Sequence, residues 1–250
     1  MIGAGNVASW LPFSWLGFAI LVGSLLGAWW AGRALPRLGV EGSYIWSIYP
    51  VAMLAGVAGA KLWSAGEALL AHGCVPLMQV LRGRSGATFY GGLILGTVAV
   101  IAKVAWDRKS LRALTTALAP TLALSQAIGR IGCFLVGCDY GVTTSLPWGM
   151  AFPNAPRPTT ELVHPAQLYE SAWLFACAWF LRRRLDLSRL LIAEYLLLQG
   201  GGRFLIELVR TNPPVLGPLT LSQLVAVSCV LSGGIALHVS RRIESFAEGR

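Results

Sequence analysis

Long apolar runs separated by short polar clusters dominate the chain. Seven of them lie near the ~20 residues that a bilayer core requires. They run from about Leu11 to Ala31, Tyr44 to Ala65, Thr88 to Trp106, Leu111 to Val136, Pro165 to Leu181, Leu190 to Val209 and Leu219 to Leu237. The fifth is the shortest. A weaker apolar segment, Glu67 to Leu81, carries a charge, His72 and Pro76, and reads as an interfacial or re-entrant helix. Between the fourth and fifth runs, Gly137 to His164 holds Pro147, Pro153, Pro156 and Pro158 beside Trp148, Phe152 and Asn154. Proline at that density excludes a long helix and favours turns with a short strand pair. The pattern predicts an all-α polytopic membrane protein. Seven transmembrane helices form a single domain over residues 1–250, and residues 137–164 form a small extracytoplasmic cap.

Composition agrees. Hydrophobic residues make up 55% of the chain, charged residues only 12%, and mean hydropathy is +0.63. A soluble domain carries roughly 25% charged residues. The net charge of +9 would suggest nucleic acid in a soluble protein. Here no basic patch is interleaved with aromatics, so no nucleic-acid partner is expected. The basic residues instead report topology. Most gather in alternate connections and the tail: Arg33 and Arg37; Lys103, Arg108, Lys109 and Arg112; Arg182, Arg183, Arg184 and Arg189; Arg241, Arg242 and Arg250. The other connections hold only Arg82, Arg84, Arg157 and Arg210. Lys and Arg collect on the cytoplasmic side, which places the N-terminus outside and the C-terminus in the cytoplasm. The N-terminus shows no basic n-region and no small-residue cleavage site, so the first run is expected to stay in the membrane. Five cysteines scattered through apolar segments suit buried thiols better than a disulfide framework or a zinc site. Neither a metal nor a cofactor is implied.

The chemistry lies in charges placed inside the apolar runs. A charge at the bilayer centre costs at least ~2.5–3.5 kcal/mol on insertion scales and usually faces the bundle interior. Arg130 falls in the fourth run; Arg203, Glu207 and Arg210 fall in or at the mouth of the sixth. The spacing of the last three, i, i+4 and i+7, predicts one helical stripe, with Arg210 one turn nearer the outside, partly unpaired and available. Arginine–acid–arginine on one face, with a further arginine on another span, suits an anion such as a lipid phosphate. The structural alternative is an Arg203–Glu207 ion pair that holds two helices together.

Four segments surround these charges. Gly129-Arg130-Ile131-Gly132-Cys133-Phe134-Leu135-Val136-Gly137-Cys138-Asp139-Tyr140-Gly141 closes the fourth run. Its glycines read as a packing seam, yet a seam has no use for a guanidinium. His164-Pro165-Ala166-Gln167-Leu168-Tyr169-Glu170 opens the fifth run. There His164 is equally an interfacial anchor or a site residue, while Glu170 calls for an arginine partner. Gln199-Gly200-Gly201-Gly202-Arg203 precedes Glu207 in the sixth, and its glycines bring the backbone close to a neighbour. Thr88-Phe89-Tyr90-Gly91-Gly92 opens the third, where Tyr90 is either a belt residue or a phenol over a cavity.

Taken together and in order, these segments resemble the prolipoprotein diacylglyceryl transferase family. The resemblance rests on Gly129-Arg130-Ile131-Gly132 with Phe134 and Gly137, on His164-Pro165 with Gln167-Leu168-Tyr169-Glu170, and on Gly202-Arg203-Phe204 with Glu207 and Arg210. It implies a bacterial inner-membrane enzyme that moves diacylglycerol from phosphatidylglycerol to the thiol of a lipobox cysteine in a prolipoprotein, releasing glycerol phosphate. Arg130, Arg203, Tyr90 and Glu207 are then the catalytic candidates. Arg210, His164, Gln167, Glu170, Cys133 and Gly141 are the substrate-binding ones. The chain departs from the family pattern at three points. Tyr90 stands where the family carries the histidine of a His-Gly-Gly motif, Cys133 where it carries asparagine, and Cys138 where it often carries glutamate. These departures keep open a related transferase that passes a group from an anionic phospholipid to a different acceptor. A non-enzymatic anionic-lipid transporter or scaffold is the remaining alternative. The lack of an internal repeat argues against it.

Overall fold

The computed structural model describes residues 15–72 and 89–248. Among them the α-helices are α1 (Trp15–Ala34), α2 (Tyr44–His72), α3 (Phe89–Trp106), α4 (Leu111–Val136), α5 (Ala166–Arg183), α6 (Leu191–Glu207) and α7 (Leu221–Glu248). Two short antiparallel pairs accompany them: β1 (Met150–Phe152) with β2 (Thr159–Val163), and β3 (Pro214–Leu216) with β4 (Leu219–Thr220). Four helical segments are long and apolar enough to cross a membrane: Trp15–Leu38, Tyr44–Glu67, Leu111–Val136 and Leu221–Arg242. Gly91–Trp106 is a shorter apolar helix. Helices α5 and α6 are 18 and 17 residues long and interrupt their apolar surface with Glu170, Glu194, Arg203 and Glu207. The protein is therefore a helical membrane protein whose most polar helices are also among its shortest.

The apolar runs and the helices coincide closely, with four main differences, the largest being that α7 continues past the expected Leu237 to Glu248. Helix α2 continues through Glu67 to His72, so the start of the expected interfacial segment is part of that helix. Residues 73–81 of that segment, like Leu11–Ser14 and Thr88 of the first and third runs, lie outside the described residues. Helix α6 stops at Glu207, before the expected Val209. The β3–β4 hairpin, built around Pro213, Pro214 and a left-handed Gly217 (φ 57°), was not anticipated.

Two compact units make up the chain. Gly32–Leu114 forms one. In it α2 and α3 pack through glycines: a Cβ at Gly59 would strike the Gly91 carbonyl and the Leu95 side chain. One at Gly91 would strike the Gly59 carbonyl and Trp63, and one at Gly92 would lie 2.9 Å from the Gly56 carbonyl. Helix backbones approach this closely only where side chains are missing. Past the end of α3, Asp107 accepts from Lys103 and from the Tyr44 hydroxyl, the latter at 2.9 Å. The Lys103 bond, aided by Tyr44, holds this half-buried carboxyl below the usual carboxylate range.

The second unit contains residues up to Ala31 and from Thr115 onward. Ala119, Ala123 and Ala127 form a small-residue stripe on α4. Leu174, Cys177, Ala178 and Leu181 of α5 and Leu191 and Tyr195 of α6 pack against it. Polar bonds fix the seams. Ser125 Oγ donates to the Gly23 carbonyl at 2.8 Å, Ser171 Oγ to the Ala127 carbonyl at 3.0 Å, and Gln126 Nε2 to the Tyr195 hydroxyl at 2.7 Å. In the glycine run of α6, Gly200 faces the Ala226 carbonyl of α7, and Gly202 lies under the Trp173 indole, whose Nε1 donates to the Leu198 carbonyl at 3.0 Å. Gly201 has no such neighbour.

The α2–α3 seam gives a direct test. Replacing Gly91 with Leu should destabilise the protein by about 1–3 kcal/mol, the usual cost of overpacking. Thermal unfolding in detergent, followed by tryptophan fluorescence, reads this. An unchanged midpoint would show that the two helices separate without cost.

Candidate functional site: an arginine–carboxylate cluster

Helix α4 closes with Gly137 in the left-handed region (φ 75°), its N–H bonded to the Phe134 carbonyl, while the Cys138 N–H bonds to the Cys133 carbonyl. This pair of bonds is a Schellman cap. The next residue, Asp139, is itself left-handed (φ 63°), an unusual state for a residue with a Cβ. The reversed chain then runs extended. Gly141 bridges to Arg210 and donates to the His164 carbonyl; Val142 donates to the Val209 carbonyl; His164 donates to the Val142 carbonyl. A Cβ at Gly141 would collide with the Val209 carbonyl. Glycine is therefore required where the cap, the start of α5 and the end of α6 meet.

These backbone constraints gather six charged side chains at the cap end of the second unit. Glu170, on the second turn of α5, is at the centre. Its carboxylate meets Arg130 Nε at 3.0 Å, Arg203 Nη1 at 2.8 Å and Arg210 Nη1 at 3.8 Å. Glu207 meets Arg203 Nη2 at 3.3 Å and Arg210 Nε at 3.4 Å. Its other oxygen accepts from Asn212 Nδ2 at 2.6 Å and Thr220 Oγ1 at 2.9 Å. Asp139 meets Arg210 Nη2 at 3.0 Å and Arg130 Nη1 at 3.4 Å. Ser222 accepts from Arg203 Nη2 at 3.0 Å. Three guanidiniums and three carboxylates leave the cluster formally neutral, which suits burial in a low-dielectric setting.

The arginines are not equivalent. The Arg210 side chain is 5% exposed; its Nη2 lies 3.0 Å from Asp139, whereas Nε and Nη1, 3.4 Å from Glu207 and 3.8 Å from Glu170, are buried without a hydrogen-bond partner. Arg210 is thus partly unpaired, as expected, but buried rather than open at a mouth. Because α6 ends at Glu207, Arg210 leaves the helical stripe and is pinned by its bridge to Gly141. Arg130 and Arg203 are 24% and 16% exposed. Among the described residues no partner faces Arg130 Nη2 or Arg203 Nε, so each of the two retains a donor edge.

A model of the prolipoprotein diacylglyceryl transferase family matches residues 6–239. The chain belongs to this family. Phosphatidylglycerol–prolipoprotein diacylglyceryl transferases from several bacteria resemble it along most of their length. That of Prochlorococcus marinus (strain NATL1A) is 30% identical over 273 aligned residues, covering 92% of this chain and 89% of that protein. That of Clostridium tetani (strain Massachusetts / E88) is 29% identical over 234, covering 90% and 92%. That of Leifsonia xyli subsp. xyli (strain CTCB07) is 31% identical over 257, covering 92% and 75%.

In this diacylglyceryl transferase-family chain Gln167, His164 and Cys133 belong to the same unit as the cluster. Gln167 is fully buried and its Nε2 donates to the Cys138 carbonyl at 2.6 Å, tying the cap loop to α5. His164 Nδ1 lies 3.1 Å from the Tyr169 hydroxyl, which accepts from Trp148 Nε1 at 2.8 Å. With its oxygen accepting from the indole, the Tyr169 hydroxyl is placed to donate to His164 Nδ1. Cys133 is buried, with Arg130 Nη1 at 3.9 Å from its sulfur. Hydrogen bonding to Cys133, and then burial, push the Cys138 thiol above the ordinary thiol range. Tyr90 belongs to the other unit, and its side chain lies outside the described residues. Sequence reasoning missed Asp139 as a shared partner of two arginines, and also Asn212, Thr220 and Ser222. Only Asn212-Pro213-Pro214 and Gly217-Pro218, a turn signature, marked the hairpin that brings them in.

Glu170 is the residue whose loss should matter most to stability. Glu170→Ala leaves three guanidiniums short of a buried counter-charge and should cost about 3–5 kcal/mol. Glu170→Gln, which keeps an acceptor but no charge, should fall between Ala and wild type. Detergent melting curves of the three proteins give the order; equal midpoints would refute Glu170 as the centre of the cluster.

Proposed function

We propose that this protein transfers a diacylglyceryl group from phosphatidylglycerol to the cysteine thiol of a prolipoprotein lipobox, with glycerol phosphate leaving. The observation that carries the reading is the pair of arginines, Arg130 and Arg203, that share Glu170 yet each keep a donor edge free. A phosphodiester is anionic, and its leaving oxygen gains charge as the bond breaks. Fixed guanidiniums stabilise that charge, and low dielectric strengthens them. The acceptor thiolate attacks the glyceryl C3 carbon. A C–S bond forms, the C–O bond to phosphate breaks, and its electron pair stays on the phosphate.

Arg130 and Arg203 bind the donor phosphate. Glu207 orients Arg203, being itself fixed by Asn212 and Thr220. Arg210 positions rather than binds, since its side chain is buried and its Nη2 is held by Asp139. Gln167 and Gly141 shape the loop that presents Asp139. His164, with Nδ1 facing Tyr169, is better suited to anchor the cap than to take the thiol proton. Tyr90, at the position of the family histidine, is the candidate base on the resemblance alone. The seven-span topology, with the N-terminus outside and the cluster facing the outer side of the bacterial inner membrane, completes the reading. Its support is the charge bias of the connections and the placement of the whole cluster at the cap end. A different acceptor with the same donor is the second reading, favoured by the departures from the family pattern at Tyr90, Cys133 and Cys138.

Purified protein incubated with labelled phosphatidylglycerol and a lipobox peptide should yield diacylglyceryl peptide and glycerol phosphate. Arg130→Ala and Arg203→Ala should each lower the rate by roughly 10²–10³-fold, the size of a lost transition-state donor. Lysine should rescue poorly for want of the planar fork. Glycerol phosphate release without peptide modification would favour the second acceptor; full activity in both alanine variants would refute the mechanism.

Cysteines introduced at Asn154 and Ser188 test the orientation. A membrane-impermeant thiol reagent added to intact spheroplasts should label Asn154→Cys and spare Ser188→Cys. The opposite pattern would invert the topology.

A further inference from the structure

Cys133 and Cys138 form the Schellman cap described above, at its C3 and C″ positions, whose side chains ordinarily make a hydrophobic contact. Here both are thiols. Their sulfurs and an Asp139 carboxylate oxygen all lie within 4.8 Å of one another, and the Cys138 sulfur approaches the Cys133 carbonyl at 3.6 Å. The N–H of Cys138 bonded to the Cys133 carbonyl at 3.1 Å fixes the two backbones face to face. Both thiols are free. Cys133 is buried, as the sequence predicts, and Cys138 is half-buried.

We propose that Cys133 and Cys138 are a reversible dithiol–disulfide pair whose closure weakens the arginine cluster. The reaction is exchange with a small-molecule disulfide. One thiolate attacks a sulfur of the reagent, forming a mixed disulfide and releasing one thiolate. The second cysteine attacks the protein-side sulfur, forming the Cys133–Cys138 bond and releasing the other. Two protein thiols are oxidised, one disulfide is reduced to two thiols, and the two protons pass to those thiols. Arg130 Nη1, at 3.9 Å from the Cys133 sulfur, is placed to stabilise charge on that sulfur during exchange.

Bringing the sulfurs to a bonding distance of about 2.05 Å requires movement of the loop that carries Cys138. Asp139 is the next residue, 44% exposed and strained at φ 63°. It holds Arg130 at 3.4 Å and Arg210 at 3.0 Å. Closure draws it from that position, and Arg130 loses both a carboxylate and a sulfur neighbour. The same three ligand atoms could in principle suit a soft metal ion. Disulfide chemistry is favoured because Asp139 is already held by two guanidiniums, while the sulfurs compete for no other charge partner than Arg130. The effect on activity rests on the transferase reading; bond formation does not.

The purified protein is equilibrated in oxidised glutathione and then alkylated, with a reduced control. The peptide spanning both cysteines should resist alkylation and be lighter by two hydrogens. Diacylglyceryl transfer should fall severalfold and return with dithiothreitol. In Cys138→Ser the ratio of oxidised to reduced activity should become one. Full alkylation of both thiols after oxidation would overturn the pair. So would a disulfide that leaves activity equal, or retention of a metal ion by the native protein in place of bond formation. Absence of transfer activity in the reduced protein would instead refute the transferase reading, with the alkylation result still standing for the bond itself.

Discussion

Glu170 is the constraint on which the rest of this site depends. One carboxylate on the second turn of α5 faces guanidiniums from α4, from α6 and from the turn beyond α6. Each arginine is tolerable in an apolar setting only with a counter-charge close by. Glu207 and Asp139 supply the remaining two carboxylates, so the cluster is formally neutral as a whole. Neutrality explains why three arginines can share a small volume.

The packing beneath the cluster serves the same end. An alanine stripe on α4 lets α5 and α6 approach, and Gly202 admits the Trp173 indole beside Arg203. The β3–β4 hairpin returns Thr220 to Glu207 and leads into Ser222, so a segment remote from the arginines in sequence fixes their partner. The polar network and the small-residue seams are two aspects of one requirement. Side chains that carry charge need short, rigid routes to their partners, and glycine and alanine shorten those routes.

Much of this was legible in the chain. Apolar run lengths give the helices because a bilayer imposes its thickness on them, and α4 matches its run residue for residue. The i, i+4 spacing of Arg203 and Glu207 gives their pairing, since a helix fixes that geometry locally. Arg210 was misplaced because spacing presumes a continuing helix, whereas α6 ends at Glu207 and the chain turns through Leu208 and Val209. Glu170 called for an arginine, but nothing local reveals that it would find three. The roles of Gln167 and Asp139 were hidden for a related reason. One partner is a backbone carbonyl and the other depends on a left-handed residue, and neither leaves a residue pattern. Family resemblance ordered the motifs correctly, and the departures at Cys133 and Cys138 then acquired a geometry of their own.

The cluster also bears on how the chain is made. Arg130 emerges on α4 before the ribosome has produced Glu170, and Arg203 follows only after the whole of α5. During synthesis Arg130 gains Glu170 only once α5 has been made, and Glu170 gains its second guanidinium only with α6. Insertion is thereby ordered by charge. A chain arrested or truncated between these helices displays an orphan guanidinium in the bilayer, a mark by which membrane quality control can recognise unfinished product.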